Sequence, residues 1–122
     1  MKRAILIITI LLFATFAMAA HVEKEHYYQA KWCAAHQGTM EHVLSDKARV
    51  DCLTSEYAVE MDFAPHAYES IGQALYYGIK TGKKPGVVLI MEKPGDGVFL
   101  ERLEAVAKQY GIKVWIVQGV EE

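Results

Sequence analysis

Residues 86–91, GVVLIM, and residues 112–117, IKVWIV, are apolar almost without a break, and one amphipathic stretch separates them. A run this short and this apolar suits a strand covered on both faces, as in parallel sheets. Two such strands joined by a helix make a right-handed β-α-β crossover. The connecting helix follows the loop EKPGDG, buries Leu100, Leu103, Ala107 and Tyr110, and stops at Gly111. This unit commits the second half of the chain to an α/β architecture.

The rest of the chain extends that unit. A first helix is predicted from Glu25 to Gln37, with Tyr28, Trp32 and Ala35 at helical spacing and Gly38 as its stop. Residues 39–44 alternate, SDKA is turn-like, and RVDCLT and YAVEMDF complete a three-stranded antiparallel meander. Pro65 suits the opening turn of a second helix that runs to about Lys80, buries Tyr68, Ile71, Leu75 and Ile79, and ends at Gly82. The predicted order is αβββαβαβ, a mixed sheet flanked by helices.

The first nineteen residues combine Lys2 and Arg3, an apolar run to Phe16 and the small-residue pattern Ala17, Met18, Ala19, which reads as a signal peptide. The apolar run is shorter than the ~20 residues of a spanning helix, so no membrane anchor is expected after cleavage. The functional chain is then a single domain, residues 20–122, in the periplasm or secreted. Without Lys2 and Arg3 it has 11 basic and 15 acidic residues, a formal charge of −4. That balance disfavours an obligate nucleic-acid binder.

Cys33 and Cys52 are the two cysteines. In an exported chain a disulfide is the leading expectation, closing a loop worth ~3 kcal/mol in the chain-entropy model. A zinc site using Cys33 with His36, His42 or Cys52, and a pair of free buried thiols, are the alternatives. The spacing fits no standard zinc finger.

Between Arg49 and Phe63 the chain places Asp51, Glu60 and Asp62 in two strands around a short turn. An even-numbered turn sets Asp51 opposite Glu60 and Arg49 opposite Asp62, with Tyr57, Val59, Met61 and Phe63 on the other face. Opposed carboxylates destabilise a strand pair. A divalent cation, protonation of one acid, or solvent exposure with Arg49 pairing to Asp62 would each offset the repulsion. On the second helix, Glu69, Gln73, Tyr77 and Lys80 form a polar stripe at spacings of four, four and three.

An acid in one strand, a hairpin, an acid in the next strand and a helix bearing Q-x-x-x-Y resemble the PD-(D/E)XK nuclease superfamily, especially its RecB-like branch. The matching residues are Asp51, Glu60, Gln73 and Tyr77, and the αβββαβ core order matches over about residues 25–117. The resemblance implies a restriction-endonuclease-like fold with an added αβ unit. It also implies that Asp51 and Glu60 hold Mg²⁺ or Mn²⁺ for phosphodiester cleavage, with Gln73 positioning the phosphate or the active-site water and Tyr77 supporting it. An upstream acid is usual in the family. Glu41, in a G-x-x-E pattern with Gly38, is favoured by a small margin over Glu25.

The family's lysine, two residues after the second acid, is Asp62 here. Lysine there orients the attacking water and stabilises negative charge, which an aspartate cannot do. Some restriction enzymes of the superfamily carry an acid at that position, and Lys80 or Arg49 could bring a cation from elsewhere. Three functions follow: a metal-dependent nuclease of low affinity, a descendant that only binds, slightly favoured by the acidic charge and missing lysine, or a cell-envelope module whose acidic face meets a basic protein partner. The scattered histidines, including His66, support no Cys/His catalytic pair. The TGKKPG segment lacks the phosphate-loop pattern and reads as a solvated turn, and Trp32 and Trp115 read as core.

Overall fold

A computed structural model describes residues 25–119. The predicted signal peptide lies outside them. Helix α1 (residues 25–35) is followed by strands β1 (Thr39–Val43), β2 (Arg49–Leu53) and β3 (Tyr57–Phe63). A 3₁₀ turn carrying Pro65 leads into α2 (Ala67–Thr81). Strand β4 (Lys84–Met91), helix α3 (Gly97–Tyr110) and strand β5 (Lys113–Gln118) complete the order αβββαβαβ.

The five strands form one mixed sheet in the order β1-β2-β3-β4-β5. Strands β1, β2 and β3 run antiparallel, and β3, β4 and β5 run parallel. Helix α1 covers one face, where Tyr28, Trp32 and Cys33 pack on Cys52, Val59, Met61, Phe63, Val88 and Ile90. The opposite face of β4, Val87 and Leu89, meets Ala67 and Ala74 of α2 and Leu103 and Ala107 of α3. Burial on both sides explains why β4 is apolar at every position from Val87 to Ile90. Its parallel partner β5 is at the sheet edge and only half-buried, with Ile116 exposed. The apolar run alone predicts a fully buried strand there.

Helix α2 turns a different face inward from the one its large apolar residues predict. Tyr68 and Ile79 are 64% and 80% exposed, while Ala67, Ser70, Ala74, Tyr77 and Gly78 are buried. Small residues let the helix axis come close to the sheet, so the larger Ile71 and Leu75 flank the contact, half-buried. Tyr110 of α3 is likewise exposed, beyond the end of the buried stripe of Leu103 and Ala107. Gly82 and Gly111 end the two helices at φ 69° and 70°, a conformation that costs glycine no Cβ clash.

Cys33 and Cys52 are bridged, with Cα atoms 5.7 Å apart, so neither a zinc site nor free thiols describes them. The bridge ties α1 to β2 and fits an oxidising compartment. Among the described residues no helix is long and apolar enough to cross a membrane. At the end of α1 it is Gln37, not Gly38, that takes the left-handed conformation (φ 56°), and the Gly38 amide donates to Cys33 O at 2.9 Å. Gly38 is instead required by space. A methyl group there would overlap the Cys52 sulfur and lie 2.8 Å from the Cys33 sulfur. Gly38→Ala should therefore destabilise the oxidised protein by roughly 1–3 kcal/mol, the usual cost of overpacking. Urea unfolding of the oxidised and reduced forms checks this, and the penalty should shrink once the bridge is opened.

Candidate functional site

The β2–β3 ladder pairs Cys52 with Val59 and Leu53 with Ala58. Continued one step, that register sets Asp51 against Glu60, the even-turn arrangement read from the sequence. The ladder is not continued by backbone bonds, because the Asp51 carboxylate itself accepts the Met61 amide at 2.8 Å. The strands part at this point, and the acids gather where they part.

Asp51 and Glu60 are hydrogen-bonded carboxyl to carboxyl. Glu60 is only 5% exposed, and its Oε2 has no hydrogen-bond partner among the described residues. Burial, then the Asp51 charge beside it, drives the Glu60 carboxyl far above the usual carboxylate range. Burial also raises Asp51, although the Met61 amide and the Glu60 hydrogen bond pull the other way. Burial and the neighbouring charge favour keeping a proton on the pair, with Glu60 the more strongly raised of the two.

Glu25, at the start of α1, lies within the influence of the same acids. Burial first, then the charges of Asp62 and Asp51, push it up to about 7. Glu41, the other upstream acid, also acts on Asp51 but is already engaged. Its Oε1 accepts from Gln29 Nε2 at 2.7 Å, and its Oε2 lies 3.6 Å from Arg49 Nε. Glu41 holds φ 54°, a left-handed conformation uncommon for a non-glycine residue in a strand. Gln29 is buried and also donates to Asp51 O at 2.9 Å, so one side chain of α1 fastens β1 and β2 beside the acids. Sequence reading missed Gln29. Its position one helical turn after Glu25 was the available signal.

Helix α2 brings Tyr77 into the range of the same acids. Tyr77 is buried, hydrogen-bonded to Gln73 one turn earlier, and raised in pKa by burial and then by the charges of Glu60 and Asp51. The structure therefore brings Glu25, Asp51, Glu60, Asp62 and Tyr77 into one electrostatic cluster, with the exposed Gln73 bonded to Tyr77.

Neither of the cations considered as a lysine substitute reaches Asp62. Arg49 pairs with Glu41 rather than Asp62, because the parted strands hold no ladder bond between 49 and 62. Lys80 lies 5.9 Å from the Tyr76 ring centroid and acts on Asp46, which Tyr76 also hydrogen-bonds. Asp62 is bound instead by the Phe63 amide at 2.8 Å and by His66 Nδ1 at 3.1 Å. Burial raises its pKa, and these two contacts and the His66 charge oppose the rise. Compared with protein-family models, curated proteins and solved structures, the chain matches none.

Proposed function

We propose that this chain is an exported protein of restriction-endonuclease-like fold whose acid cluster binds a divalent cation, Mg²⁺ or Mn²⁺, and through it a phosphodiester. The unpartnered Oε2 of Glu60 carries this reading. A buried carboxyl oxygen without a partner costs ~1–3 kcal/mol or more, and the charges of Asp51, Asp62 and Glu25 act on the same carboxyl. Carboxylate oxygens are the donors that hard divalent cations take. Asp51 and Glu60 would hold the ion, with Glu25 better placed than the engaged Glu41 to complete the set.

Bound there, the cation supplies polarisation of a phosphodiester and a more acidic attacking water. The chain's own residues do the rest. Tyr77 packs its ring on Leu44, Val50 and Ala58 while its hydroxyl, bonded to Gln73, feels the charges of Glu60 and Asp51, and the exposed Gln73 amide can donate to a phosphate oxygen. This placement favours a second reading, hydrolysis of DNA or RNA.

Binding of labelled single- and double-stranded DNA and RNA tests both readings in Mn²⁺ and in EDTA. Mn²⁺ should tighten binding by about tenfold or more, ~1.4 kcal/mol, and Asp51→Asn should remove the gain. Cleavage lost with the same variant would establish the nuclease. Binding that is absent, or the same in Mn²⁺ and in EDTA, would overturn the proposal in favour of an envelope module that meets a protein through its acidic face.

A further inference from the structure

The outer face of α2 carries an apolar stripe. Tyr68, Tyr76 and Ile79 are 64%, 38% and 80% exposed, and Gly72 is exposed between them. Spacings of four, four and three put these residues on one side of the helix, and the half-buried Leu75 borders them. Ala67, Ala74 and Gly78 are buried on the inner side, so α2 is apolar in two directions. A helix apolar beyond its core-facing stripe is expected where the second face is covered as well. Gly72 is an independent observation on the same face. Glycine in a helix interior is less stable than alanine. Gly78 has a reason within the fold, since a Cβ there would lie 3.2 Å from Lys83 O and 3.3 Å from the Pro85 side chain. At Gly72 a Cβ would meet no described atom within 4 Å beyond its own helix. The residue leaves a notch that opens outward, where another helix can approach the backbone closely.

We propose that this stripe is the interface of a two-fold symmetric dimer in which α2 packs antiparallel on α2 of a second copy. The charges select that partner. Glu69 stands in the first turn of α2 and Lys80 in the last, about three helical turns apart and so on the same flank of the stripe. Lys80 stands over the Tyr76 ring, which keeps its ammonium beside the stripe. Antiparallel pairing about an axis near residues 73 and 74 sets Glu69 beside the partner's Lys80, and does so twice. It also sets Tyr76 over the partner's Gly72 and Tyr68 against the partner's Ile79. Parallel pairing would oppose Glu69 to Glu69 and Lys80 to Lys80. A two-fold contact needs a surface complementary to itself, and this face has that property in both charge and shape. The dimer stands independently of cation binding at Asp51 and Glu60.

Sedimentation velocity of the oxidised protein at about 1 μM and about 1 mM, which bracket a micromolar Kd, should show monomer passing to dimer. Ile79→Glu, at an exposed position, and Gly72→Gln, into open space, should each keep the circular dichroism of the dilute protein and weaken the dimer at least ~10-fold. Lys80→Glu should also weaken it, by setting acid against acid. Adding Glu69→Lys to Lys80→Glu reverses both charges and should restore the wild-type Kd to within about threefold, a rescue that a role of either residue within its own chain would not produce. A wild type that stays monomeric at the higher concentration would overturn the proposal and leave the stripe to a different protein or a lipid surface. A dimer indifferent to both Ile79→Glu and Gly72→Gln would overturn it by placing the interface elsewhere. A double charge reversal no tighter than Lys80→Glu alone would overturn the antiparallel arrangement.

Discussion

Asp51→Asn combined with Glu60→Gln should remove most of the loss of stability that the metal-free wild type undergoes between pH 5 and 8, leaving the smaller loss that Glu25 brings up to about pH 7. Glu60 is held above its ordinary value in the folded state by burial and by Asp51, and Glu25 is held at about 7 by burial and by Asp62 and Asp51. An acid raised on folding contributes its stabilisation below the unfolded value near 4.5 and loses it as pH rises through the folded value. Each proton that the folded state retains and the unfolded state releases therefore costs up to ~1.4 kcal/mol per pH unit. For Glu60 the loss starts near pH 5 and continues past neutrality; Glu25 adds to it only up to about pH 7.

Thermal melts at three pH values decide the matter. The wild type should melt well below the double variant at pH 8 and approach it at pH 5. Mg²⁺ or Mn²⁺ should restore the wild type at pH 8 by binding the folded state, and should leave the variant unmoved. Parallel pH profiles for the two proteins, with no response to metal, would mean that the acids are a solvated surface.

Removing the Cys33–Cys52 bridge should have the other large effect. Cys33→Ala with Cys52→Ala opens a loop between residues 19 apart in sequence, costing ~3 kcal/mol by chain entropy. In a domain of this size that corresponds to a fall in Tm of roughly 10–20 °C. The loss also acts on the site, because the bridge clamps the helix that carries Glu25 and Gln29 to the strand that carries Asp51. The response to Mn²⁺ should weaken along with stability. A Tm within a degree or two of wild type would show that α1 is held by Tyr28 and Trp32 packing alone.

The α/β class was legible because it rests on periodicities within single segments. The apolar run of β4 showed a strand covered on both faces, and the glycines at 82 and 111 marked helix ends. The shared face of Glu60 and Asp62 follows from strand alternation, and an even turn brought Asp51 opposite Glu60.

What the tertiary structure decided depends on distances between segments, which no pattern within a segment contains. Helix α2 buries Ala67, Ser70, Ala74 and Gly78 because close approach to the sheet rewards small side chains over large apolar ones. Arg49 goes to Glu41 instead of Asp62 because the Asp51 carboxylate takes the Met61 amide and parts the strands. The position of Glu25 beside Asp51 and Asp62 is set by how α1 crosses the sheet, and Gln29 reaches β1 and β2 from the same helix. Residues 62, 66 and 69 converge because a strand turns into a helix between them, so the helical spacing of their numbers has no meaning until that corner is built.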